Sequence, residues 1–403
     1  MPEVNEMPGI SEFRDLKLPV IIFGAAVAGE AVFHACREAG IDIAAFCDNN
    51  LDKARHPCCG LEVIHFLRLK ERFPDAVFLI SVIDIQDIVK QLSAMGYEQF
   101  YPVAPLLRSF NVFHYEYSKP ADFVNYVISA CILSQDNYYS PEKIYIRSVD
   151  IVITERCSLK CRDCSNLMQY YRKPVHYKTE NLLEWLDVFC EAVDEINEFR
   201  VIGGEPFMHR DWLTVTRRLI AEPKVKKVVI YTNATILPGD EQMAELRNPK
   251  VLFIVTDYGK LSRKLHEMIQ KLEEMRIAHV CSPAGGWTDC AAIGRHGRTM
   301  AQLKEIFSCC CVKNSYTLMN GRLYRCPFAA NVDNLKAMPD VPGDYVGLSG
   351  ESSREVVKEQ IRALIHDKEY IAACDFCRGR RLGDPQIPPA VQTALPLDYK
   401  RYS

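Results

Sequence analysis

The chain has 403 residues, 48% hydrophobic and 25% charged, with a net charge of −3, a composition expected of a soluble globular protein with two or three domains. That charge balance argues against nucleic acid or an anionic membrane as partner, and no apolar run of about 18 residues offers a membrane span. The opening MPEVNEMPGISEF is acidic and lacks the basic-then-apolar order of a signal peptide, so a cytoplasmic location is expected.

Residues 19–102 alternate strand and helix patterns. Leu18–Phe23 is an apolar run ending at Gly24, Ile41–Phe46 a second strand and Ala76–Ile80 a third, each followed by helical periodicity. Such alternation predicts a parallel sheet with crossover helices. The turn Gly24-Ala-Ala-Val-Ala-Gly29 approximates the dinucleotide fingerprint, but Ala26 stands where a glycine would let the backbone approach a pyrophosphate. Asp48 lies where a ribose-binding acid is expected; the plainer reading gives Gly24 and Gly29 to helix–strand packing. Residues 111–148 are aromatic-rich, with a helical stretch around 121–133, and are expected to form a packed connector.

A second strand–helix series starts near Asp150. Strands are predicted near 149–154, 199–202, 226–231, 250–256 and 277–281, with helices near 180–197, 209–221, 240–247 and 260–275. In parallel β/α folds the functional loops follow the carboxyl ends of strands, and each notable motif lies there. The first strand runs into Cys157, Cys161 and Cys164, spaced C-x3-C-x2-C. Three thiolates on a short loop suit three irons of a [4Fe–4S] cluster, leaving the fourth iron open for chemistry. Arg156, Lys160 and Arg162 beside them either favour the thiolates or form a solvated basic loop. The second strand ends in Gly203-Gly204-Glu205-Pro206, where glycines permit positive φ and close approach of the backbone to a ligand and the carboxylate can accept from an ammonium group. Asn233 and Asp257 close the next two strands and read either as ligand contacts or as helix caps. A glycine-rich loop, 282–290, carries Trp287 as core anchor or substrate platform. His176 and His209 read as solvated loop histidines.

Seventeen cysteines in a chain without an export signal are expected to be reduced. Beyond the first three, Cys311 and Cys326 flank a predicted hairpin, Ser315–Met319 and Arg322–Arg325 around Asn320-Gly321, a type I′ turn pair. Cys374 and Cys377 follow as C-x2-C. Cys311, Cys326, Cys374 and Cys377 form a closed set that suits zinc or a fully ligated iron–sulfur cluster. The choice of Cys311 from the Cys309-Cys310-Cys311 triplet rests on spacing. Most remaining cysteines read as buried packing residues.

The C-x3-C-x2-C and G-G-E-P motifs together resemble the radical S-adenosylmethionine (SAM) enzymes. With the later cysteines they resemble the SPASM/twitch group over residues 150–380. The opening I-I-F-G-x-x-x-x-G and the F-C-D-N-N strand end resemble the Rossmann-like N-terminal domain of bacterial sugar-modifying enzymes. The resemblance implies an α/β protein with a Rossmann-like open sheet at 1–110 that takes a nucleotide or nucleotide-sugar. A helical connector follows at 111–148, then a partial (β/α)6 barrel at 149–295, a twitch domain at 296–385 and a tail at 386–403. It also implies SAM held by Gly203, Gly204, Glu205, Pro206, Asn233 and Asp257, one [4Fe–4S] cluster on Cys157, Cys161 and Cys164, and an auxiliary [4Fe–4S] cluster on the second set. The implied reaction is reductive cleavage of SAM to a 5′-deoxyadenosyl radical that abstracts hydrogen from a small carbohydrate-like substrate. The electron comes from a donor such as flavodoxin or ferredoxin. Oxidation is the leading outcome. The alternatives are sugar epimerisation through a spare thiol among Cys281, Cys290, Cys309 and Cys310, modification of a ribosomal peptide, and a non-catalytic iron–sulfur protein.

Overall fold

The apolar runs of the first hundred residues build a five-stranded, wholly parallel sheet. Its strands are β1 (Val20–Phe23), β2 (Ile43–Asp48), β3 (Val63–His65), β4 (Val77–Ile80) and β5 (Phe100–Pro102), in the order β3-β2-β1-β4-β5. The computed structural model describes residues 17–403 apart from 84, 351, 352, 382, 395 and 403, so the acidic opening lies outside the described residues. β3 and β5 have no counterpart in the sequence reading, because three-residue edge strands are too short to carry a periodic signal. The chain divides into two units, Met1–Glu142 and Lys143–Ser403.

In the first unit, the helix Ala121–Tyr138, read from sequence as part of a connector, contributes Val124, Ile128 and Cys131 to the same core as Ile22 and Val32. Its Gln135 donates to the Ile80 carbonyl at 2.7 Å and accepts from Ala104 N–H at 2.9 Å. A Cβ on Gly29 would meet the Gly24 carbonyl oxygen at 2.0 Å, so this glycine serves helix–strand packing. The Asp48 carboxylate accepts from the backbone N–H groups of Ala25 and Asn50, both at 2.8 Å, and holds the turn after β1.

The second unit is built on an eight-stranded sheet. Its parallel part comprises β6 (Tyr145–Val152), β7 (Glu195–Ile202), β8 (Val225–Thr232), β9 (Val251–Asp257) and β10 (His279–Pro283). The helix expected over 180–197 ends at Ala192, and residues 195–198 are strand. The reason is pairing: β6 begins at Tyr145 and aligns it with Glu195, which draws that segment out of helix. A short β11 (Trp287–Thr288) follows. The hairpin forms as β12 (Tyr316–Met319) and β13 (Arg322–Tyr324), with Asn320 at φ 48° and Gly321 at φ 74°, as a type I′ turn requires. β12 also pairs in parallel with β6, so the hairpin and β14 (Tyr345–Gly347) extend the sheet to the order β10-β9-β8-β7-β6-β12-β13-β14. This pairing carries the later cysteines to the edge of the first cysteine loop. Among the described residues no helix is long and apolar enough to cross a membrane.

Candidate functional site

The strand ends of β6, β7, β8 and β9 open on one cavity of about 400 Å³. Cys157, Cys161 and Cys164 line it together with Gly203, Gly204, Glu205, Pro206 and Asn233. The cysteine loop is stapled to the loop after β7: Gly204 N–H donates to the Thr154 carbonyl at 3.0 Å, and Glu205 N–H to that of Arg156 at 2.9 Å. A Cβ on Gly203 would stand 2.3 Å from the Thr154 carbonyl oxygen, and one on Gly204 would stand 2.2 Å from that of Arg156. Neither glycine has positive φ. The close approach that requires them is therefore between two protein loops, which corrects the reading of a backbone freed for φ > 0 and for approach to a ligand.

Glu205 is 1% exposed. Its carboxylate accepts from Thr232 Oγ1 at 2.9 Å, Asn233 N–H at 2.9 Å and, weakly, Phe207 N–H at 3.5 Å. Burial pushes its carboxyl up to about 7 against those three donors. Of about four acceptor positions on a carboxylate, three are filled in this way among the described residues. Asn233 reaches from the end of β8 to the cysteine loop, with its Nδ2 at 3.2 Å from Ser158 Oγ and 3.7 Å from Cys157 Sγ. Asp257 is absent from the cavity lining; its Oδ1 accepts from Gly259 N–H at 2.7 Å and closes the turn after β9. Thr256 and Tyr258, its neighbours, face the cavity instead. Trp287 joins the lining with its ring edge-on to Tyr258, 6.1 Å between centroids. His209 corrects the expectation of a solvated histidine: it is 3% exposed, with Nε2 at 2.8 Å from the Tyr177 carbonyl oxygen.

Three groups of functional weight were missed by the sequence reading. The first is the floor of the cavity, where Asp150 of β6 pairs with Arg200 of β7 at 2.5 Å, with Tyr231 beside them. Burial raises the Asp150 carboxyl while Arg200 and Thr317 oppose the rise. Alternation along β6 marks these positions only as one face of a strand. The second is the segment after β15 (Gln386–Ile387), within the stretch that the sequence marks only as a tail. Arg162 N–H donates to the Val391 carbonyl and Thr393 N–H to that of Lys160, both at 2.7 Å, and Gln392 Nε2 lies 3.3 Å from Cys161 Sγ. No pattern in residues 386–403 announces this clasp. The third is Arg380, which lines the cavity from the C-terminal side.

A second, smaller cavity is lined by Cys290, Cys310, Cys326, Cys374 and Cys377. Cys311, the expected member, is exposed and absent from that lining, while Cys310 takes the inward position. The cause is local: the helix Met300–Ser308 ends just before the triplet, and Cys311 N–H is held by the Arg380 carbonyl at 2.9 Å. The Cys310 thiol lies close enough to those of Cys326, Cys374 and Cys377 to help raise each of them. Burial is the main cause and pushes all three up to about 12. Arg298 fixes the C-x2-C turn by donating to the Cys374 and Cys377 carbonyls at 2.6 and 2.8 Å. Among the described residues no three His, Cys, Asp or Glu side chains are gathered as for a single metal ion. The thiols ring two cavities instead, and a cubane cluster takes its cysteines in that way, one at each iron corner.

Residues 151–258 match the model of the Radical SAM superfamily, a stretch that contains the first cysteine loop, Gly203–Pro206 and Asn233. A GTP 3′,8-cyclase of Sulfurovum sp. is 30% identical over 132 residues, 31% of this chain and 39% of that protein. A PqqA peptide cyclase of Granulibacter bethesdensis is 31% identical over 94 residues, 23% of each. The chain spans well under half the length of these curated relatives. Among solved structures, BtrN in complex with AdoMet and 2-DOIA is similar over 60% of this chain and 97% of its own, at 14% identity and TM-score 0.38. Streptococcus suis SuiB is similar over 58% of this chain and 49% of its own, at 14% identity and TM-score 0.30.

Proposed function

We propose that the second unit is a radical SAM oxidoreductase acting on a small carbohydrate-like molecule. The observation that carries the reading is the convergence of Cys157, Cys161 and Cys164 with Gly203–Pro206 and Asn233 on one cavity inside the segment that matches the Radical SAM superfamily. Cys157, Cys161 and Cys164 would hold a [4Fe–4S] cluster, with Gly203–Pro206 and Asn233 beside the SAM. Cys310, Cys326, Cys374 and Cys377 would hold an auxiliary cluster, with Cys310 replacing Cys311. Cys310 neighbours all three partners, whereas Cys290 neighbours only Cys377 among them. Bound there, a reduced cluster with SAM would supply radical hydrogen-abstraction chemistry, and a second cluster would supply an electron acceptor.

The residues of the chain do the rest. Gln392, Asn233 and the Leu159 N–H, at 3.3, 3.7 and 3.4 Å from cysteine sulfurs, direct positive dipoles at the first cluster site and favour its reduced form. Thr256, Tyr258, Ser315, Tyr231 and Trp287 line the cavity, a set of hydroxyl and ring side chains suited to a polyol. Oxidation of an alcohol carbon requires a proton acceptor, and Asp150 is the cavity carboxylate placed for that role, with Arg200 holding its orientation. Oxidation is favoured over epimerisation because, among the described residues, the first cavity is lined by no cysteine beyond the proposed cluster ligands. The first unit, read as a Rossmann-like domain, has a cavity of about 740 Å³ lined by Arg37, Lys53 and His56 and equally by Glu30, Asp52 and Glu116, of a size that fits a nucleotide-sugar.

The test is anaerobic incubation of the reconstituted protein with SAM, dithionite and candidate sugars. Wild type forms 5′-deoxyadenosine, Cys161→Ala does not, and a true substrate raises the yield and is recovered oxidised. No deoxyadenosine from wild type overturns the reading. Solvent deuterium in an unoxidised product assigns epimerisation instead.

A further inference from the structure

Arg380 stands between the two sites: it lines both cavities, and its charge also acts on the thiols of Cys290, Cys310 and Cys311. Ser165, Val312, Pro327 and Arg380 line both cavities and so form the wall between them. The run Cys377-Arg378-Gly379-Arg380-Arg381 explains how a guanidinium comes to be there. Arg378 turns outward to Asp289, and Arg381 pairs with Glu305 at 2.8 Å. Gly379 between them has φ +93°, and the chain is pinned after it by the Cys311 N–H to Arg380 carbonyl bond. Arg380 is thereby directed inward, half-buried, and among the described residues its guanidinium makes no hydrogen bond or ion pair.

The other charges of the first cavity are already answered. Arg200 pairs with Asp150, and Glu205 is saturated by Thr232 and the Asn233 and Phe207 N–H groups but for one position. Arg380 is left, among the described residues, as the cation of this cavity with no carboxylate paired to it, and a half-buried guanidinium offers a fork that fits a carboxylate or phosphate bidentately. We propose that Arg380 determines specificity by binding an oxyanion of the substrate, so that the substrate is a small molecule bearing a carboxylate or a phosphate. This rests on the radical SAM reading of the same cavity and narrows its substrate class.

The test measures binding to the anaerobically reconstituted full-length protein with SAM present. Glucose, glucuronate and glucose 6-phosphate serve as neutral, carboxylate and phosphate probes in calorimetric titration. Wild type binds at least one acidic probe more tightly than glucose, Arg380→Gln weakens that binding tenfold or more, and Arg380→Lys restores part of it. Which acidic probe binds separates carboxylate from phosphate. Phenylglyoxal labelling of Arg380 in wild type, read by mass spectrometry, is slowed by the same probe, which keeps the test valid if the variants fold poorly. Equal binding by wild type and Arg380→Gln, or no acidic probe binding to wild type, overturns the proposal. A shifted auxiliary-cluster potential with unchanged binding also overturns it and assigns the cation to the cluster. Deoxyadenosine formation without substrate is scored separately, so that failure of the radical SAM reading is told apart from failure of the Arg380 role.

Discussion

Gly204→Ala is the sharpest probe of how the site is assembled. The new Cβ would lie 2.2 Å from the Arg156 carbonyl oxygen, 2.4 Å from its carbon and 2.6 Å from Cys157 Cβ. These are backbone atoms and the first atom of a proposed ligand side chain, so no flexible group can swing aside. Restoring ordinary contact moves the cysteine loop by about 1 Å, at an overpacking cost of roughly 1–3 kcal/mol. The displacement also stretches the Gly204–Thr154 and Glu205–Arg156 backbone bonds, now 3.0 and 2.9 Å. A misplacement of about 1 Å in a catalytic arrangement costs on the order of 10²-fold in rate. The expected outcome is a melting temperature several degrees lower and deoxyadenosine formation reduced about 100-fold, with the auxiliary cluster still loaded. Gly285→Ala is the control, because a Cβ there meets nothing within 4 Å. Wild-type deoxyadenosine formation by Gly204→Ala would refute the argument that the glycine is needed for contact between the two loops.

Cys310→Ser is expected to lower iron content from about eight to about four atoms per chain, while Cys311→Ser leaves it unchanged; iron analysis of both reconstituted variants decides between them. Burial pushes the Glu198 carboxyl from 4.5 up to about 7, with Arg200 opposing. A carboxyl raised in the folded state stabilises the fold when protonated, so stability falls as pH climbs from 4.5 to about 7, by roughly 3 kcal/mol. Glu198→Gln removes that slope; urea titrations of both proteins at pH 5 and pH 8 should differ by this amount, and parallel pH profiles would contradict it.

Much of the fold was legible because its cause is local. The apolar runs at Val20–Phe23, Val77–Ile80 and the strands from β6 onward are buried parallel strands whose hydrophobicity shows in any window. Asn320-Gly321 turns where two adjacent residues accept positive φ. The pairings that cross long intervals of chain were not legible. Residues 195–198 became strand because β6 starts at Tyr145, and β12 joined β6 although more than 150 residues separate them. Cys310 rather than Cys311 faces the second cavity because a helix end and the Arg380 carbonyl set the rotation there, and cysteine spacing carries no information about either.

The three cysteines that follow β6 and the Gly-Gly-Glu-Pro run that follows β7 are determined by the sequence alone, because ligand chemistry at short spacing needs only a loop between neighbouring residues. The floor of Asp150 and Arg200, the clasp of Gln392 on Cys161 and the unpaired guanidinium of Arg380 were decided only by the tertiary structure. Each joins segments distant in sequence, and what a charged or amide side chain does depends on which partner the fold places within hydrogen-bond reach.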